Sequence, residues 1–204
     1  MELIPRIAID VIYEMWPELI LCSVVLITLR LIYLFNKKKR LILYRELISL
    51  SFIIYVVLLF ELVTTTDYYA YGSNFIPFKE IFRYHLDSPS FYKNVIGNVA
   101  LFVPFGYFTS YFCKVNKFYI NLVITLITSF TIETIQLGLG RAFDIDDVIL
   151  NIVGGLCGYF IYKVSQKIIR KYPTKFKNNL LLNVICVIII VTLIIMILGV
   201  YGVF

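Results

Sequence analysis

The stretch LLNVICVIIIVTLIIMILGVYGVF, residues 181–204, contains no charged side chain. About 20 apolar residues in succession are enough for a helix to cross the roughly 30 Å of hydrocarbon in a bilayer. The rest of the chain is of the same kind. Hydrophobic residues make up 60% of the 204 and charged residues 16%, with a mean hydropathy of +0.87, which exceeds what a soluble globule needs to fill its core. The fold class that follows is all-α, a polytopic membrane helix bundle.

Continuous apolar windows place spans near 18–35, 43–63, 94–112, 118–138, 147–164 and 180–204, so about six (five to six) transmembrane helices are expected. The longest polar connector runs from about 64 to 93, too short for a separate soluble module, and one compact helical domain is expected. Residues 1–16 differ in pattern. Ile4, Ile7, Ala8, Val11, Ile12 and Met15 recur at helical spacing, opposite Glu2, Arg6, Asp10 and Glu14, which describes an interfacial amphipathic helix. Trp16 suits the headgroup level, Pro17 can open the next span, and the acidic start argues for a retained N-terminus.

Basic residues flanking spans stay in the cytoplasm because their translocation is disfavoured. Thirteen of the nineteen fall on one side: NKKKR at 36–40 with Arg45, then Lys114, Lys117, Lys163, Lys167, Arg170, Lys171, Lys175 and Lys177. Arg6, Lys79, Arg83, Lys93 and Arg141 lie opposite, Arg30 lies within a span, and both termini are expected outside. The net charge of +6 therefore suits anionic membrane lipids, with no nucleic acid among the expected partners. Cys22, Cys157 and Cys186 sit in apolar runs and Cys113 at a span end; without metal or disulfide spacing they read as small packing residues.

Against this background RAFDIDDVILNIVGG, residues 141–155, is dense in polar groups. In the expected topology it joins the fourth span to the fifth at the outer face. Asp144 or Asp146 can cap the fifth helix, and Asp147 sits in its first turn, where carboxylates complement unpaired amides and the helix dipole. Asp147, Asn151, Gly154 or Gly155, and Gly158 share one face, and the spacing of Gly154 and Gly158 permits close helix approach. Glu133, Gln136 and Gly140 on the fourth helix share another face, with Arg141 immediately after; Glu133 pairs with Arg141, accepts hydrogen bonds from a neighbouring helix, or serves function. Asn94 and Asn98 share a face of the third helix, in which Pro104 removes a hydrogen bond, leaving a packing kink or a half-helix open. SNFIPF, residues 73–78, suits a segment dipping into the interface.

A candidate ligand site therefore comprises Asn98, Glu133, Gln136, Arg141, Asp144, Asp146, Asp147 and Asn151. Pro104, Gly106, Gly154 and Gly158 are the candidate helix-packing positions. Arg141 suits a phosphate or carboxylate. No metal and no cofactor is assigned, because the acids lack a ligand pattern. His85 stands without a nucleophile or ligand partner, and no Walker loop, dinucleotide fingerprint or HExxH occurs. No catalytic residue is identified.

Taken together, NVIGNVALFVPFGYF, ETIQ and GRAFDIDDVILNIVGGLCGY resemble the VanZ-like family. Its members carry N-x-x-x-F-x-P-x-G, then E-x-x-Q, then R-x-x-D-x-x-D-x-x-x-N-x-x-G-x-x-x-G, and NFIPF looks like the family's N-x-x-P-F. The resemblance covers about 74–160 and places Asn98, Phe102, Pro104, Gly106, Glu133, Gln136, Arg141, Asp144, Asp147, Asn151, Gly154 and Gly158 at family positions. With the spans read above, the chain divides into an interfacial helix (1–16), two spans (17–66), a family core of outer loop and three spans (67–165), and a basic loop with the last span (166–204); the resemblance leaves the first two and last spans outside its best-matching region. It implies a multi-pass protein of the bacterial plasma membrane, the namesake being associated with teicoplanin resistance without remodelling of the peptidoglycan terminus. The expected function is an outward-facing polar pocket for a lipid-linked cell-wall precursor or a membrane-anchored lipoglycopeptide. An enzyme acting on a polyprenyl or phospholipid headgroup and a structural or regulatory protein remain as rivals.

Overall fold

A computed structural model describes residues 3–38, 42–64, 72–86, 88–171, 182–184 and 187, with side chains from Ile20 onward except Leu62. Its helices are α1 (Leu3–Asn36), α2 (Leu43–Thr64), α3 (Pro89–Phe91), α4 (Gly97–Phe112), α5 (Phe118–Gly138) and α6 (Ile145–Lys171). A π-helical turn, Tyr92–Ile96, joins α3 to α4, and a 3-10 turn spans Ile81–Arg83. The all-helical class holds among the described residues, where the nearest thing to a strand is an isolated bridge between Asn74 and Asp144.

Four stretches are long and apolar enough to cross a membrane: Leu43–Glu61, Pro89–Phe112, Phe118–Gly138 and Ile145–Lys171. They correspond to the second through fifth expected spans. Ile20–Asn36 is a shorter apolar helix, and the expected span at 180–204 lies almost wholly outside the described residues. The expected boundary at Trp16 and Pro17 is not a break, because α1 is one continuous helix across it. Large apolar side chains such as Leu21, Phe60, Ile127 and Phe160 are exposed along these helices, as they are where the surrounding solvent is hydrocarbon. The protein is a helical membrane protein. Cys22, Cys113 and Cys157 are free and exposed, so they do not fill the interior as their sequence context had suggested.

The chain packs as two units where one compact domain was expected. One contains Ile20–Ile54 with, among the described residues, 166–171, 182–184 and 187; here Arg30 of α1, placed within a span by the sequence reading, meets Glu46 through Nε to Oε2 at 2.6 Å and Nη2 to Oε1 at 3.1 Å. A two-toothed pair of this kind satisfies a guanidinium that hydrocarbon would not.

The other contains Tyr55–Ser165 together with the start of α1, and glycine sets its central packing. A Cβ at Gly154 would collide with the carbonyl of Val99, one at Gly158 with that of Val103, and one at Gly106 with the backbone of Gly155. Backbone therefore meets backbone where α4 crosses α6. On the other side of α6, a Cβ at Gly155 would fall 2.5 Å from Thr125 Oγ1 of α5. The polar and glycine residues of α6 thus divide between two neighbours, whereas their spacing had suggested a single one. Pro104 does not interrupt α4, so no half-helix forms. Pro104 leaves the carbonyl of Ala100 without its helical donor, and the Tyr55 hydroxyl donates to the adjacent carbonyl, Leu101 O, at 2.8 Å.

Candidate functional site

Two helix ends create the site. At the end of α5, Gly140 takes φ +88°, a conformation that glycine adopts without steric cost. The amide of Arg141 then reaches back to Gln136 O at 2.9 Å and that of Gly140 to Leu137 O at 3.1 Å. This is the Schellman pattern of helix termination, and it explains Gly140 as a stop signal rather than part of a polar face. At the start of α6, Asp144 Oδ1 accepts from the amide of Asp146 at 2.9 Å. Asp144 is therefore the N-cap, and Asp146 is released for another task.

That task is to hold the loop before α3. Asp146 Oδ1 accepts from the amide of Phe78 at 2.5 Å, while Oδ2 accepts from Glu80 at 2.7 Å and Ile81 at 3.2 Å. The carboxylate is 1% exposed. Asn74, also buried, donates from Nδ2 to Asp144 Oδ1 at 2.9 Å; its amide reaches Phe143 O at 2.8 Å, and its carbonyl accepts from Ile145 N at 3.0 Å. Burial pushes the Asp144 carboxyl above the usual aspartate range, against the opposing hydrogen bonds from Asn74 and the Asp146 amide.

Glu133 of α5 is 2% exposed and connects this anchor to the arginine. Its Oε2 accepts from the amide of Asp144 at 3.0 Å. With the Gln136 amide in the orientation that gives both its ends complementary partners, Nε2 donates to Glu133 Oε1 at 3.1 Å and Oε1 accepts from Arg141 Nη1 at 3.0 Å. The direct pair between Glu133 and Arg141 weighed from sequence is replaced by a relay through Gln136. Arg141 is half-buried and, among the described residues, has no carboxylate within salt-bridge distance. Arginine offers five N–H donors; the Gln136 contact uses one of them.

Two further contacts use the remaining candidates. Asn98 Nδ2 donates to Asp147 Oδ1 at 2.5 Å, joining α4 to α6, and Asn151 Nδ2 donates to Ser129 Oγ at 2.9 Å, joining α6 to α5. Asn94 donates to the Tyr84 hydroxyl at 2.9 Å; burial raises the pKa of that phenol. Asp146, Asp144, Glu133, Gln136 and Arg141 thus form one hydrogen-bonded chain, Asn98–Asp147 and Asn151–Ser129 form two further pairs, and each of the eight candidates has an internal partner.

Sequence reasoning missed Asn74 as the bridge to α6. It also missed the inner face of α5, where Asn121, Thr125, Ser129 and Glu133 recur every fourth residue and are each at most 2% exposed. That spacing was the available signal. Asn121 Nδ2 donates to Gly106 O at 3.2 Å and Ser110 Oγ at 3.0 Å, tying the N-terminal end of α5 to α4.

The VanZ/LLP1 family matches residues 47–170, more than half of the chain. Protein VanZ of Enterococcus faecium is 30% identical over 123 residues, which cover 59% of this chain and 71% of that protein. No solved structure matches. The matched region carries every residue of the assembly around Arg141 and the glycine crossing beneath it, and the chain belongs to the VanZ-like family.

Proposed function

We propose that this protein recognises the anionic head of a lipid-linked cell-wall intermediate or of a membrane-anchored glycopeptide at Arg141, on the outer side of the bacterial plasma membrane. The observation that carries the reading is the state of Arg141. It is oriented by Gln136 and half-buried, yet unpaired with any carboxylate among the described residues. A planar guanidinium held in this way matches phosphate or carboxylate oxygens. The ligand's chain would lie among the apolar helices, its head beside Arg141.

The outward orientation, with both termini outside, follows from the distribution of basic residues. The family's namesake supports a link to teicoplanin, with binding at this site limiting the drug's access to its target. In bacteria expressing the chain, Arg141→Ala is expected to abolish protection against teicoplanin at matched membrane abundance. Protection that survives the substitution would reject a working pocket. Thermal unfolding of the purified variant in detergent separates lost recognition from lost structure.

A further inference from the structure

We propose that the loop at 75–86 is a lipid-seated wedge, with Phe75, Ile76, Phe78, Phe82 and Leu86 inserted into the phospholipid interface at the α6 N-terminal end of the bundle. These side chains are 69%, 63%, 48%, 83% and 71% exposed, respectively. Burying one such side chain fully is worth about 1.5–3 kcal/mol, so leaving all five in water would forgo a large stabilisation.

The hydrogen bonds tie them to one end of the candidate spans. Asp146 is in the first turn of a membrane span and binds the amides of Phe78, Glu80 and Ile81. Asn74 joins the loop to Phe143 and Ile145 at the same helix end, and the next span begins at Pro89. Both ends of the segment are thereby tied to the edge of the hydrocarbon layer and cannot carry it away into water.

The backbone and the charges agree with that placement. Phe78 takes φ +65°, an outlier for a bulky residue, and its amide is held by Asp146 in that conformation. Its ring lies 6.2 Å from that of Phe82, centre to centre. Lys79 and Arg83, both exposed, follow Phe78 and Phe82 in sequence; Arg83 also pairs with Glu80 at 3.0 Å, and Lys79 suits a basic end reaching headgroup phosphates above an apolar stem. The exposed Tyr92 and Ile96 at the head of α4 continue the apolar surface onto the lipid-facing spans.

The occupant is therefore the phospholipid surface itself. The wedge would hold the relay from Asp146 to Arg141 at headgroup depth whatever Arg141 binds, and the inference does not rest on the ligand reading above.

The test uses the full chain with its single tryptophan moved by Trp16→Phe and Phe82→Trp. The protein is reconstituted into phosphatidylethanolamine and phosphatidylglycerol vesicles whose acyl chains are brominated at defined depths. Blue-shifted emission that is lost to shallow bromines, and lost less to deep ones, is the expected result. Emission typical of water, quenched by iodide and indifferent to bromolipid, would overturn the wedge. Blue-shifted emission indifferent to both quenchers would overturn it too, since a second copy or another protein would then cover the loop. Phe75→Trp in the same background repeats the measurement should Phe82→Trp fail to reach the membrane.

Discussion

Asp146 and Arg141 stand five residues apart at the same end of the bundle, and the structure treats them in opposite ways. The aspartate is 1% exposed and accepts hydrogen bonds from three backbone amides of the loop before α3. The arginine is half-buried and gives a single side-chain hydrogen bond to Gln136. A charge saturated by backbone donors has no capacity left for a ligand, and its value is architectural. A charge that is positioned but incompletely used keeps its capacity for something outside the protein. Both belong to one polar assembly, and burial and the number of partners distinguish their roles.

The largest expected effect lies on the saturated side. Asp146→Ala would leave the amides of Phe78, Glu80 and Ile81 without their acceptor, and each buried donor left unsatisfied costs about 1–3 kcal/mol. Thermal unfolding in detergent is expected to register a loss of that order, together with protease sensitivity in the loop. A variant as stable as the parent would show that Asp146 does not anchor the loop and would erase the contrast with Arg141.

A smaller loss is expected on the open side. Arg141→Ala removes the donor to Gln136 Oε1, and an unsatisfied buried amide oxygen costs about 1–3 kcal/mol. The lower end applies because Gln136 is next to a half-buried position that water or a headgroup can reach. Unfolding should shift little while the protection proposed above is lost. Were Arg141→Ala to unfold the protein as severely as Asp146→Ala, the arginine would belong to the scaffold and the recognition reading would fail.

How far the residues announced this arrangement follows from what each signal measures. Helix-length apolar runs are set by the thickness of the bilayer, so α4, α5 and α6 and the glycines between them were legible. The polar residues of 133–151 were legible as a cluster because charges in spans are costly enough to be rare. Their division of labour was not. Whether Asp144 or Asp146 caps α6 depends on which one the loop amides claim, and the claim on Asp146 comes from Phe78, Glu80 and Ile81, which precede it by 68, 66 and 65 residues. Helical periodicity reports neighbours within a turn or two and carries nothing about such a bridge. It also could not separate the neighbours of α6, since Gly154 facing Val99 and Gly155 facing Thr125 are adjacent in sequence and differ only in rotation.

Asp144 lies between the two extremes and supplies the finest test. It caps α6, receives the Asn74 amide and gives its own amide to Glu133, while burial holds its carboxyl above the ordinary value of 3.8. The folded state then binds a proton over a pH range in which the unfolded chain has released it. Stability attributable to this group is therefore fully present below pH 3.8, falls as the pH rises through the interval up to the folded pKa, and is constant beyond it. Asparagine caps helices as well as aspartate does and keeps an oxygen for Asn74, so Asp144→Asn removes the titration while leaving the cap in place. The difference in melting temperature between the parent and this variant should change in favour of Asp144→Asn as the pH rises through that interval. A difference that does not vary with pH would mean that Asp144 is hydrated in the membrane-bound protein, and the anchor would then be open to water on the same side as Arg141.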